Sequence, residues 1–155
     1  MRQAAAPELN VNTVCNCLAA RKASRYLTAA YDQALAGAGL RTTQFSILHH
    51  LATSGPLAIG ELATIMAMDR TTLSTNLKPL QREALLSMAP GVDRRAKMAQ
   101  ISKAGLARYR QAIPLWQEVQ AQFETSYGVK RAEDLRQALQ AVLQSGFEPW
   151  AERKT

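Results

Sequence analysis

The chain is poor in the features that mark secreted scaffolds, membrane proteins and hydrolases. Its 155 residues include only two cysteines. These stand two apart, at Cys15 and Cys17, and cannot staple distant parts of a fold, so stability must come from a packed core in a reducing compartment, the cytoplasm. No run approaches the ~18 consecutive apolar residues that signal a bilayer-spanning helix, so no membrane span is expected. The opening stretch MRQAAAPELNVNTVCNC has no apolar export segment. Acidic residues are also scarce: 12 Asp and Glu against 19 Lys and Arg, a net charge of +7. That imbalance points to a polyanionic partner, either nucleic acid or an anionic surface. No Ser-His-Asp set, phosphate-cradling glycine loop or paired-carboxylate motif stands out, so neither enzyme chemistry nor a cofactor is expected.

What is present is mainly helical periodicity. From about Val14 to Leu35 the chain is rich in alanine and reads as a first helix, ended by GAG at Gly37. Thr42 or Thr43 can cap a second, in which Phe45, Leu48 and Ala52 share a face. Ile59, Leu62, Ala63 and Met66 follow the i, i+3, i+4, i+7 rule of a short third helix. Asp69 can cap a fourth, with Leu73, Leu77, Leu80 and Ala84 as its apolar side. The period then changes. LLSMAP and MAQIS flank the turn PGVDRRAK and read as a hairpin, the sole strand content expected. Ser102 opens a long helix through Leu106, Tyr109, Ile113, Trp116, Phe123 and Tyr127, which Gly128 ends. A last helix carries Leu135, Leu139, Val142 and Leu143. Tyr109 and Trp116 read as core or interface residues.

The third and fourth helices have helix-turn-helix spacing. Ala63 falls where two crossing helices need a small residue, Ala67 sits in the turn, and Leu73 can plug the space between them. Two features depart from the ideal. Ala67 must take the turn without the freedom of glycine, and Ala58 cannot cap the third helix as Ser or Thr would. The outward positions of the fourth helix are Arg70, Thr71, Thr72, Ser74, Thr75, Asn76 and Lys78. Such a row can reach phosphates and base edges from a major groove. A merely solvated face is more often filled with Glu, Lys and Gln, which are better helix formers. Pro79 deletes the amide that would bond back to Thr75, and is expected to bend the helix or end it. The hairpin makes the unit a winged variant, with Asp93, Arg94, Arg95 and Lys97 at the wing tip. The cations suit phosphates flanking a minor groove or the negative potential inside it. Asp93 makes sense as an internal partner holding an Arg in one pose.

LRTTQFSILHHLA at 40–52, IGELATIMAMDRTTLSTNLKPLQREALL at 59–86, DRRAKMAQISKAG at 93–105 and PLW at 114–116 together resemble the MarR (multiple antibiotic resistance regulator) family of transcription factors. The Asp-x-Arg of the wing, Asp93 and Arg95, followed by a strand and SKAG, is the most specific element. The resemblance implies a mainly α fold: a winged helix-turn-helix DNA-binding domain at 41–102, with residues 1–40 and 103–155 forming a helical dimerisation region. It implies that Arg95 enters the minor groove and Asp93 orients it. It implies a homodimer on an inverted-repeat operator of double-stranded DNA, a repressor released when a small-molecule effector fills a pocket between the two regions. The apolar surface on the first, fifth and sixth helices exceeds what so small a winged domain can cover, which independently favours pairing.

The alternative is a thiol-based redox regulator. Cys15 and Cys17 begin the first helix, where the N-terminal partial charge raises thiol reactivity. A hydroperoxide-sensing branch of the resembled family has a reactive Cys in this region, and Cys17 matches it better. The tyrosines that support it there are replaced by TTQF. An inert buried thiol is the ordinary role for such a residue, and two thiols without a nearby His or further Cys make an incomplete metal site. His49 and His50 are candidates for the ligand pocket or for hydrogen-bonded structural roles. As helix neighbours they point about 100° apart and are not expected to form a joint face. A DNA-architectural protein with little sequence selectivity is the remaining competitor.

Overall fold

The computed structural model describes residues 9–147, which form two compact units dividing after Trp116. The first helix is broken. α1 (Val11–Val14) and α2 (Asn16–Leu35) are separated by Cys15, whose backbone is extended and whose Sγ accepts the Leu18 N–H at 3.3 Å. α2 ends at Leu35, not at Gly37; a 3-10 turn follows, and the residue that takes left-handed backbone is Gly39, at φ 66°. α3 (Thr42–Ser54) is not capped by Thr42 or Thr43, because its N-cap is Arg41. Its exposed amides are satisfied by other side chains: Gln44 Oε1 accepts from Arg41 N–H at 2.9 Å and Asp32 Oδ1 from Thr42 N–H at 2.7 Å.

The sheet has three strands, one more than the hairpin alone. β1 (Leu57–Ala58) pairs with β3 (Lys97–Ile101), which pairs with β2 (Leu86–Pro90), all antiparallel in the order β1-β3-β2. Ala99 lies opposite both Leu57 and Met88 and is completely buried. Two residues are too few to show an alternation, so β1 leaves no strand signature in the sequence.

α4 (Ile59–Ile65) and α5 (Arg70–Arg82) form the helix-turn-helix. Ala63 and Leu73 are buried between them, and Ala67 takes the left-handed turn at φ 51°. The missing Ser or Thr at Ala58 is offset by Glu61, whose carboxylate reaches back to the Ala58 N–H at 3.0 Å. α5 continues through Pro79 to Arg82, so the proline does not end it. Ala84 is not on its apolar side: it lies beyond the helix, exposed, at φ 55°.

α6 (Lys103–Tyr127) is capped as expected, Ser102 Oγ accepting the Gly105 N–H at 2.9 Å. The same hydroxyl donates to the Ala84 carbonyl at 2.6 Å and so ties the start of α6 to the end of the helix-turn-helix. Gly128, at φ 104°, separates α6 from α7 (Val129–Leu143). In the first unit one core gathers Leu35, Ile47, Leu48, Leu51, Leu62, Leu73, Leu80 and Leu85. In the second, Val119 and Ala132 are buried and Arg136 binds Glu124 at 3.0 Å. Leu139, Val142, Leu143 and Phe147 remain 47–80% exposed. No helix among the described residues is long and apolar enough to cross a membrane.

Candidate nucleic-acid interface and adjoining cavity

The outward face of α5 is built from its cap upward. Asp69 accepts twice from Thr72, Oδ1 from the amide at 2.8 Å and Oδ2 from the hydroxyl at 2.6 Å. The Thr72 hydroxyl, and then its amide, hold the Asp69 carboxyl below its ordinary pKa. One turn on, Thr75 Oγ1 donates to the Thr71 carbonyl at 3.0 Å and Asn76 Nδ2 to the Thr72 carbonyl at 2.9 Å. Arg70, Thr71, Thr72, Ser74, Thr75 and Lys78 are exposed and Asn76 half-buried. The hydroxyl protons of Thr72 and Thr75 are committed to the helix itself, which leaves their oxygens as acceptors.

The wing tip is ordered by its own backbone. Gly91 N–H bonds to Ala96 O at 2.7 Å and Ala96 N–H to Asp93 O at 2.9 Å. Asp93 Oδ1 accepts the backbone N–H of Arg95 at 3.1 Å. Among the described residues no ion pair joins Asp93 to Arg94 or Arg95. Asp93 therefore holds the arginine by its amide and leaves the guanidinium unclaimed.

Arg70 and Ser74 of α5 and Asp93, Arg95 and Lys97 of the wing line one open cleft, with Gly60, Glu61 and Thr64 of α4 as its floor. Gly60 leaves room for Arg70, since a Cβ there would lie 3.0 Å from the guanidinium. Lys78 is not in this cleft; with Thr75, Pro79 and Arg82 it borders a second depression. Arg94 borders neither. Two contributors were missed in the sequence. Arg82, four residues after Lys78, could have been found by helical spacing. Glu61, three after Ala58, carried the signal of a reciprocal cap.

Between α2, α3 and α6 lies a cavity of about 400 Å³ lined by Tyr31, Thr42, Phe45, Ser46, His49, His50, Tyr109, Ile113 and Trp116. His49 and His50 both face it, their ring centroids 5.4 Å apart and edge to face, contrary to the divergence expected of helix neighbours. Both rings line the cavity. His49 Nδ1 is 2.8 Å from Tyr109 Oη. Phe45 packs on Tyr109 and Trp116 at 5.4 and 6.1 Å between centroids. Tyr109 and Trp116 thus border the core as expected, but they also wall the cavity. Burial, and then repulsion from His49, pushes the His50 pKa down. Cys15 is half-buried and Cys17 exposed, so neither is the buried inert thiol of the ordinary reading. Among the described residues no group of three or more His, Cys, Asp or Glu could hold a metal ion.

The sequence pattern of the MarR family matches residues 38–96. The chain is 35% identical to the Mycobacterium tuberculosis transcriptional regulator MosR, solved in complex with DNA, with a TM-score of 0.74 over 86% of this chain and 99% of that one. A probable transcriptional regulator from Pseudomonas aeruginosa is 23% identical, with a TM-score of 0.74 over 84% and 98% of the two chains. A mutant of Escherichia coli MarR bound to operator DNA shares the fold at 17% identity, with a TM-score of 0.77 over 88% and 99%. No curated protein sequence matches significantly. With a winged helix-turn-helix, a cationic wing beside α5 and a relative of this identity over nearly its whole length, the chain belongs to the MarR family of DNA-binding transcriptional regulators.

Proposed function

We propose that the protein is a homodimeric repressor that binds an inverted-repeat operator and leaves it when a small molecule fills the cavity between α2, α3 and α6. Residues 41–102 read the DNA, and 1–40 with 103–155 pair the subunits. The observation that carries this reading is the cleft where Arg70, Ser74, Arg95 and Lys97 converge. In it the first half of α5 enters the major groove, where its N-terminus favours phosphate. Arg95 reaches the adjacent minor groove from a tip whose backbone Asp93 has set. Lys78 and Arg94 contact phosphates outside the cleft. α3 supplies Phe45, Ser46, His49 and His50 to the cavity and also packs against α5 and β3. An effector that shifts α3 therefore moves the helix and the wing together. Mobility-shift competition between DNA from upstream of its own gene and random DNA, followed by footprinting, tests the reading. Equal affinity for both DNAs would make it an architectural protein instead.

A second reading rests on Cys15, whose Sγ caps α2 two residues before the exposed Cys17. A hydroperoxide would oxidise the two thiols to a disulfide, releasing an alcohol and water. The new bond would take the acceptor from the Leu18 N–H and unwind the first turn of α2. Oxidant releases the wild-type protein from operator DNA, but not the variant with both cysteines replaced by Ser, if this switch operates; if the cavity alone controls DNA release, oxidant releases neither.

A further inference from the structure

Resting on the reading that α5 meets operator DNA, we infer that Arg108 and Glu83 are a positioning pair: their contact fixes the far end of α5 against α6, and with it the register in which α5 meets the duplex. Neither residue lines the cleft of Arg70, Ser74, Arg95 and Lys97. Arg108 Nη1 lies 2.5 Å from Glu83 Oε2. The other ion pairs among the described residues lie within α7 or join α6 to α7, so this is the one that reaches the helix-turn-helix.

The far end of α5 needs such a hold. Pro79 has no amide to bond back to Thr75, so the helix is one bond short before its last turn. The chain leaves through Glu83, the C-cap, and then Ala84, which takes left-handed backbone at φ 55° without the freedom of glycine. A residue other than glycine keeps that conformation when its surroundings impose it. A carboxylate at the C-terminal end of a helix also meets the negative end of the dipole, so Glu83 is unfavourable there unless a cation stands beside it. The surroundings are supplied by α6 and its cap. Ser102 binds the Ala84 carbonyl through its hydroxyl at 2.6 Å and the Leu85 carbonyl through its amide at 3.0 Å. Arg108 adds a side-chain hold on Glu83. Its guanidinium also lies beside the turn between α2 and α3, where a Cβ on Gly39 would be 3.5 Å from Nη1. With the Arg108 and Glu83 side chains 33% and 46% exposed, solvent screens the pair and it adds little to stability. What it supplies is direction. Lys78 and Arg82, on either side of Pro79, border one depression, and phosphate contacts from such a stretch set the register on the duplex. Random DNA, bound without a fixed register, makes no such demand.

Mobility shifts on the full chain test this, with the duplex that the wild-type protein selects from a random pool and an unselected duplex of equal length. Charge alone predicts that Glu83→Arg, which makes the protein more positive, binds both duplexes more tightly. The pairing predicts that its preference for the selected duplex falls by about tenfold, that Arg108→Glu loses as much, and that the double swap, which restores both the pair and the net charge, recovers most of it. The melting temperatures should stay within about 3 °C of the wild type. Should the reversed variants not fold, Glu83→Gln and Arg108→Gln carry the same comparison, each expected to lose about threefold in preference. An unchanged preference in the single variants, tighter binding of both duplexes by Glu83→Arg, or a swap that leaves the preference low overturns the positioning role and leaves the operator reading standing. A wild-type protein that enriches no sequence from the pool overturns the operator reading, and the positioning role falls with it.

Discussion

Gly105 stands where no larger residue fits: a Cβ would lie 1.9 Å from the Leu85 carbonyl oxygen and 2.9 Å from Ile101. Both neighbours are anchored, one by its bond to Ser102 N–H and the other in β3, so neither can yield cheaply. Gly105→Ala should therefore cost at least the ~1–3 kcal/mol typical of overpacking, read as a lower urea midpoint at unchanged slope. Asp69 makes a prediction in pH. Its folded pKa is depressed, chiefly by the Thr72 hydroxyl, so its stabilisation is present above the ordinary Asp range and is lost as pH falls through the depressed value. Asp69→Ala should lower the melting temperature at pH 7 and flatten its decline in acid. An acid limb unchanged by the substitution would show that the Thr72 bonds contribute little. At the wing tip, Asp93→Ala should weaken operator binding although it makes the protein more positive, because the backbone of Arg95 loses its anchor. Arg95→Ala should weaken binding by about 1–3 kcal/mol, and tighter binding by the Asp93 variant at ordinary salt would sink the anchoring role.

In the proposed function, α5 is the element on which selectivity turns. Because Thr72 and Thr75 spend their hydroxyl protons on Asp69 and the Thr71 carbonyl, their oxygens suit the amino groups of adenine or cytosine. Thr72→Val keeps the shape and removes the acceptor, so a selection from random DNA should lose preference at one position. Lys78→Ala should lower affinity about equally on all sequences and reduce the salt slope by about one. Much of this element was legible in advance. Asp69, Ala63, Leu73 and the Asp93–Arg95 pair carry their geometry in their spacing, because caps, crossings and tight turns are local. What was illegible was tertiary. The break at Cys15 has no proline or glycine to announce it. Asp32 reaches the amide of Thr42 from ten residues away. β1 exists through its pairing with β3, some forty residues later. The cavity was hidden for the same reason: the convergence of His49, His50 and Tyr109 depends on where α6 returns, not on the angle between adjacent residues of one helix.

At the scale of the molecule, the exposed Leu139, Val142, Leu143 and Phe147 are the surface the proposed dimer would cover. Leu139→Glu and Val142→Glu should shift sedimentation towards the monomer and lower operator affinity, although neither residue lines the cleft of Arg70, Ser74, Arg95 and Lys97. A two-fold protein presents two copies of α5 to the same side of the duplex, so footprints should show half-site centres about 10 bp apart. A monomer protecting one half-site at full affinity would refute the pairing. The three-stranded sheet bears on a different property, the way the protein comes out of solution. One of its edges, β1, is two residues long, and the other, β2, ends in Pro90, which has no amide to donate. Neither edge offers a template for strand addition. Heated or aged samples should accordingly precipitate as amorphous material that does not bind thioflavin, and the fibrillar route should stay closed until the sheet itself has melted.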